Sequence, residues 1–174
     1  MGGNPLTITA LGQLLGTIIA SFTGIPADRI ILKNEKYDAP KNGGPYVLID
    51  YDGAAGLVGI NSHPDYATSM ETMTATAHER FAVELCGFDQ SATDRKSEIP
   101  MALRSQMAIR AAEDNNCSIF VAGPTLDLSS IEGSSALRRY RIPVIISNIE
   151  RKTVAETLID KFPAIDQETI ITEA

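Results

Sequence analysis

Tryptophan is absent, histidine and cysteine occur twice each, and aromatic residues make up only 6% of the chain. Each shortage removes a class of function. Cys86 and Cys117 are too few for a disulfide scaffold, and both sit in strand-like apolar settings. That fits two buried free thiols in a reducing compartment. Histidine offers no ligand cluster: His78-Glu79-Arg80 has the start of a zinc-helix motif, but Ala82 stands where a second histidine is needed. His63 precedes Pro64 in a loop-like stretch with no evident partner. The sequence contains no GxxxxGK[ST] phosphate loop, no GxGxxG and no GxSxG nucleophile elbow. The acid pairs Asp50/Asp52 and Asp127/Glu132 read as solvated turn carboxylates sooner than as a cation site. No apolar run approaches the roughly 18 residues that a membrane-spanning helix needs. No basic region precedes the apolar stretch 6–20, so no secretory signal is expected. A net charge of −7 argues against gripping nucleic acid through its phosphates, though not against DNA passing nearby. The expectation is a protein that is not an enzyme and carries no catalytic residue, metal or cofactor.

What is present is the composition of one soluble globular domain: 174 residues, 44% hydrophobic and 21% charged. Its organising stretch runs from Met70 to Ser147. Between Met70 and Phe88 the pattern alternates, with Met73, Ala75, Ala77, Phe81, Val83 and Leu85 on one face. Thr72, Thr74, Thr76, His78, Arg80 and Glu84 occupy the other, as a long strand with one core face requires. Glu79 interrupts the apolar face, so a bend, or a run past the sheet edge, is expected there. From Glu98 to Asp114 the period becomes helical, with Ile99, Leu103 and Met107 four apart. Ser97 is the expected N-cap, Pro100 is tolerated in the first turn, and Asn115 and Asn116 end the helix. A short strand over 118–122 and a polar loop to Ser135 follow. The alternating stretch 137–147 then points Tyr140, Ile142, Val144 and Ile146 inward and Arg139, Arg141 and Ser147 outward. Pro143 cannot donate to a ladder, which predicts an edge position or a bulge.

Ahead of this unit, residues 5–22 form the predicted first helix. Thr7 or Thr9 is its cap, Gly24 its stop, and Gly12 and Gly16 permit close packing on the sheet. Strands are predicted over 29–34 and 46–51, separated by a turn-rich surface loop over 35–45. Residues 52–56 read as turn punctuation, 57–60 either pair back or stay irregular, and 61–69 read as a loop. Thr153-Val-Ala-Glu156 has the form of a capping box, opening a helix whose apolar face is Val154, Leu158, Ile159 and Phe162. The fold expected is α+β, a mostly antiparallel sheet flanked by two main helices. The main domain covers 1–151, and 152–174 form a helical docking extension. Its anchors would be Val154, Leu158, Phe162, Ile170 and Ile171, with Ile170 and Ile171 suited to joining a neighbour's sheet edge.

Arg138, Arg139 and Arg141 on the last long strand, with Arg80 and Glu84 on the first, stand out among the polar positions. They form either a solvated sheet face or a subunit interface in which arginine forks meet carboxylates. A small-ligand site on the open sheet face near His78, Arg80 and Arg141 is the alternative from another class.

The order of elements resembles that of the tail terminator and neck proteins of tailed bacteriophages. Three stretches carry the resemblance: Ile30-Ile-Leu-Lys-Asn-Glu-Lys-Tyr-Asp-Ala-Pro-Lys-Asn-Gly-Gly-Pro-Tyr-Val-Leu-Ile49, His78-Glu-Arg-Phe-Ala-Val-Glu-Leu-Cys-Gly-Phe88, and Leu126-Asp-Leu-Ser129 followed by the three arginines. It spans about residues 6–150; the region 56–66 and the C-terminal extension depart from the family's pattern. The resemblance implies a homohexameric ring that ends the tail tube and joins it to the connector beneath the head, in the virion, after assembly in the host cytoplasm. Its partners would be copies of itself, the tail tube or sheath protein and the connector or adaptor. DNA would pass only transiently through the lumen, and no membrane is involved. A head-completion or tail-tube protein of the same particle is the nearest alternative.

Overall fold

The structure, a computed structural model, describes residues 6–33, 40, 44–65, 67–132 and 135–155. Helix α1 (Ile8–Thr23) begins where Thr7 Oγ1 accepts the Ala10 N–H at 3.2 Å, satisfying one of the first-turn donors. It ends at Gly24, whose φ of 69° lets its N–H close on the Ala20 carbonyl. A 3-10 turn leads to β1 (Ile30–Leu32), which lies parallel to β2 (Tyr46–Asp65). Strand β2 turns back into β3 (Met70–Gly87), and a helical segment then covers the sheet as α2 (Ser91–Asp94), α3 (Glu98–Leu103) and α4 (Gln106–Asp114). The edge strand β4 (Cys117–Val121) and two short strands, β5 (Leu126–Asp127) and β6 (Ser130–Glu132), precede β7 (Ser135–Ala155). The sheet order is β1-β2-β3-β7-β4, with β5 and β6 also pairing with β7. All pairings except β1–β2 are antiparallel, so the fold is α+β with a mostly antiparallel sheet.

All the described helices lie on one face. Leu11, Leu15, Ile18 and Ile19 of α1, with Ile99, Leu103, Ala108 and Ala112, pack on Val47, Ile49, Phe81, Val83, Leu85, Tyr140, Ile142, Val144 and Ile146. Burying each large aliphatic side chain contributes about 1.5–3 kcal/mol. Gly12 and Gly16 let α1 sit on β1: a Cβ at either would meet Leu32 at 3.0 Å or Ile30 at 3.3 Å. Arg95 ties the layer together, donating to the Thr23 carbonyl at the end of α1 and pairing with Glu98 at 2.7 Å.

Several expectations are corrected. The helix 98–114 is two helices. Ser105 Oγ donates to the Ala102 carbonyl at 2.7 Å and accepts the Ala108 N–H at 3.2 Å, ending α3 and capping α4. Serine competes locally for backbone groups, and here it redirects the chain. Ser97, the expected cap, makes no such bond. The break turns Met107 and Ile109 outward while Ala108 and Ala112 face the core. Pro143 is neither at an edge nor at a bulge of the β3–β7 ladder; it lies opposite Ala82 in an unbroken register. Its carbonyl accepts from Ala122 just past β4, so the missing N–H points at the gap between β4 and β5, where no ladder bond is needed. The polar loop before Ser135 contains β5 and β6, and the loop expected over 61–69 is strand as far as Asp65.

The largest correction is length. Strand β7 continues through Ala155, pairing Thr153 with Thr72 and Val154 with Glu71. Thr153 therefore caps no helix, and a boundary at 151/152 falls inside a strand. Three one-residue bulges lengthen β2 relative to β3, between Tyr51 and Gly53, Ala54 and Gly56, and Val58 and Asn61. Gly53, Gly56 and Gly59, with φ of 100°, 112° and 64°, sit at these bulges, where a side chain would be strained. The first two lie opposite Arg80, Glu79 and His78, so the irregularity expected at Glu79 lies in its partner strand. Residues 35–39 and 41–43 of the predicted surface loop and the extension beyond Ala155, with Leu158, Phe162, Ile170 and Ile171, lie outside the described residues.

Candidate assembly surface

The three long strands outrun the helices. Residues 77–87 of β3 contribute Ala77, Phe81, Val83 and Leu85 to the core. From Thr76 back to Met70, and from Ile149 on to Ala155, no residue is buried. The outer halves of β2, β3 and β7 thus form a three-stranded arm, about seven residues or ~24 Å beyond the helix layer at some 3.4 Å per residue. Leu57, Val58, Ile60 and Ile149 on the arm are each more than half exposed, and Met73 is 38% exposed. Val58, Thr76 and Ile149 form one cross-strand row on the face away from the helices. Leu57 pairs with Ala77, and Met73 lies an even number of residues from it, so both belong to the opposite face. Apolar side chains therefore stand on both sides of a sheet that nothing covers among the described residues.

The body carries a different surface on its helix-free face. Tyr46, Leu48 and Cys86 form a small buried cluster there with Ile31 and Leu137. Burial raises the Cys86 thiol to about 12 and also raises that of Cys117, so both are inert free thiols. Beside this cluster run three ion pairs: Lys33–Asp50 at 2.6 Å, Arg139–Glu84 at 2.6 Å and Arg141–Asp52 at 2.9 Å. The hydrogen bond that Lys33 donates to Asp50 holds its ammonium above its ordinary value. Glu84 is fully buried, and its Oε2 accepts both Nε (2.8 Å) and Nη2 of Arg139. Its Oε1 is buried with no hydrogen-bond partner among the described residues.

Of the residues singled out from the sequence, Arg80, Glu84, Arg139 and Arg141 share this face. Arg138 pairs with Gly87, is exposed, and by alternation points to the other face. Arg139 and Arg141 have carboxylate partners within their own subunit, which sequence alone did not reveal. Val154 is half-buried in β7 opposite Glu71. The acid pairs read as turn carboxylates also resolve: Asp50 and Asp52 each hold a basic side chain, and Asp127 is held below its usual range by hydrogen bonds from Ser129.

The nearest approach to a catalytic arrangement is His78 Nδ1 at 2.6 Å from Ser147 Oγ, a cross-strand pair on the open sheet face. A working nucleophile needs its base oriented by a third group and a site where an oxyanion would be held. His78 and Ser147 lie in the middle of adjacent strands, with no further polar side chain bonded to the imidazole among the described residues. No group of three or more His, Cys, Asp or Glu among those residues is placed to hold a metal ion. No described helix is long and apolar enough to cross a membrane.

The arm was missed because its sequence signal resembles loop chemistry. The glycines of Asp52-Gly-Ala-Ala-Gly-Leu-Val-Gly59 recur every third residue, a spacing that serves successive bulges as well as turns. The unbroken threonine alternation of β3 down to Thr72 was the legible half of the same arm. In comparisons with known proteins, the chain matches no protein-family model and no curated protein.

Proposed function

We propose that this chain is a structural subunit that assembles into a closed ring, as a tail terminator of the phage neck. The observation that carries the assembly reading is the three-stranded arm, uncovered among the described residues, with Leu57, Val58, Ile60 and Ile149 exposed on it. An isolated sheet with apolar residues on both faces gains stability by burying them against another surface. Arm and body are unlike surfaces, so an arm laid on the next body makes a head-to-tail contact, the kind that closes into rings. The number six and the place in the neck rest on the sequence resemblance over residues 6–150. On that reading the ring ends the tail tube, meets the connector above it, and lets DNA pass. A net charge of −7 suits a lumen that must not hold DNA. No cofactor and no catalytic role is assigned.

Native mass spectrometry of the full-length protein tests the proposal. A dominant species of six subunits is the expected result. A monomer persisting at high concentration, with no rings visible by electron microscopy, would overturn it in favour of a small binding domain.

A further inference from the structure

Strand β4 is an open sheet edge. Among the described residues it pairs with β7 alone, through Cys117–Asn148 to Val121–Val144, which leaves its outer row of N–H and C=O groups unpaired. An unpaired edge is a template for a further strand. This edge is apolar on both sides. Toward the helices, a mainly apolar cavity of about 220 Å³ lies between α4 and β4, walled by Leu103, Ala108, Ile109, Ala112 and Ile119 with Cys117, and by Glu113 and Ser118 on its polar side. Toward the other face Phe120 is 54% exposed beside Ile145. A strand added here needs two adjacent apolar residues, because consecutive side chains point to opposite faces of a sheet.

We infer that the β4 edge takes an extended strand from the C-terminal segment of a second copy, with Ile170 and Ile171 as its two anchors. Thr169-Ile-Ile-Thr172 supplies adjacent apolar residues between strand-favouring threonines. One isoleucine enters the cavity beside Ile109 and Ile119, and the other covers Phe120. Main-chain hydrogen bonds to β4 give affinity, and the two pockets give register. The inference rests on the ring reading for its choice of a second copy. The chain leaves β7 at Ala155, at the arm tip, about 24 Å past the level of Asn148 and Cys117. With the arm against the next subunit, that exit lies on the neighbour. Residues 156–168 then span up to about 45 Å, enough to reach the neighbour's β4.

Two measurements on full-length protein test this. In the first, in a Cys117→Ala background because that thiol lines the cavity, Phe120→Cys chains are co-assembled in turn with Ile170→Cys and Ile171→Cys chains and oxidised; Cys86 is buried in the cluster with Tyr46 and Leu48 and does not compete. A disulfide between different chains is expected for one of the two isoleucine positions and not the other, since they face opposite sides. Links at neither position would overturn the inference. So would a link found only when both cysteines are on one chain, which would make the strand the subunit's own. In the second, amide exchange over 117–121 is compared between the wild type and Ile170→Asp/Ile171→Asp. Exchange about tenfold faster in the variant, with 81–85 unchanged, is expected. A wild-type ring whose β4 amides ignore the substitutions would sink this inference and leave the ring standing. A wild-type monomer would sink the ring reading itself.

Discussion

Strands β2, β3 and β7 run through two regions with the same ladder and different surroundings. In the body, one face carries α1, α3 and α4, and Phe81, Val83, Leu85, Ile142, Val144 and Ile146 are almost wholly removed from water. In the arm the hydrogen bonding continues for seven more residues of β7, yet Val58 and Ile149 stand more than half exposed. Hydrogen-bonded continuity is therefore no guide to where the core ends. The helix layer decides that, and it stops near Ala77. The body has the means to fold by itself; the arm has apolar surface and no cover among the described residues, and the proposed assembly would bury it.

The sharpest way to break this comparison is to make the same kind of change in each region. Leu85→Ala should destabilise the subunit by about 2–5 kcal/mol, because the cavity it leaves lies in a packed core. Ile149→Ala, on the arm, should change the stability of the dissociated subunit by no more than about 0.5 kcal/mol. Urea unfolding of both at low protein concentration checks this, and equal losses would mean that the arm is part of the cooperative core.

A second test concerns the charges of the body. Glu84→Gln keeps the shape but removes the charge that Arg139 grips, and a loss of about 1–3 kcal/mol is expected. Arg139→Glu should do more harm, since it sets a second carboxylate against a buried one. Reversal at Arg139 thus probes the fold before it can probe any interface. If chemical denaturation finds Glu84→Gln as stable as the wild type, the pair contributes nothing to the body.

The alkaline limb probes the body by pH. Burial raises the Cys86 thiol from 9.0 to about 12, and the hydrogen bond to Glu79 raises the Tyr51 hydroxyl from 10.0 to about 12. The unfolded chain releases these protons first. The stability they represent is therefore complete below about pH 9 and is lost as pH rises toward 12. Urea midpoints should fall steadily from pH 8.5 to 11, and less steeply in Cys86→Ala. A flat profile would contradict the burial of Cys86.

The smallest effect is expected at Arg141. Its pair with Asp52 is partly exposed on both sides, at 31% and 54%, and such pairs are worth about 0–1 kcal/mol. Arg141→Ala should be nearly silent in subunit stability. If Arg141→Glu assembles as the wild type does, Arg141 has no part in the contact between subunits.

The sequence made the body legible because its signals are local and periodic. Thr7 and Gly24 bracket α1, and the two-residue alternation of β3 and β7 names the core face residue by residue. The break at Ser105 was hidden because Ile99, Leu103 and Met107 keep the helical period across it, while a single hydroxyl redirects the backbone. The arm was hidden for another reason. Glycines at bulges and glycines at turns look alike in one dimension, and only the partner strand distinguishes them. Likewise, Thr153 and Glu156 have capping-box spacing, but Thr153 is held in β7 by its pairing with Thr72. Partners distant in sequence decided the bulges and Thr153, as Glu84 did for Arg139 and Asp52 for Arg141.

The measurement that bears most directly on the division between body and arm is sedimentation of full-length Val58→Asp/Ile149→Asp beside the wild type, with thermal unfolding followed on the same samples. Both substitutions lie in the exposed cross-strand row of the arm, away from the core. A wild-type hexamer is expected beside a variant that is a folded monomer, its subunit unfolding as cooperatively as before. A variant that assembles like the wild type, or one that no longer folds at all, would contradict that division.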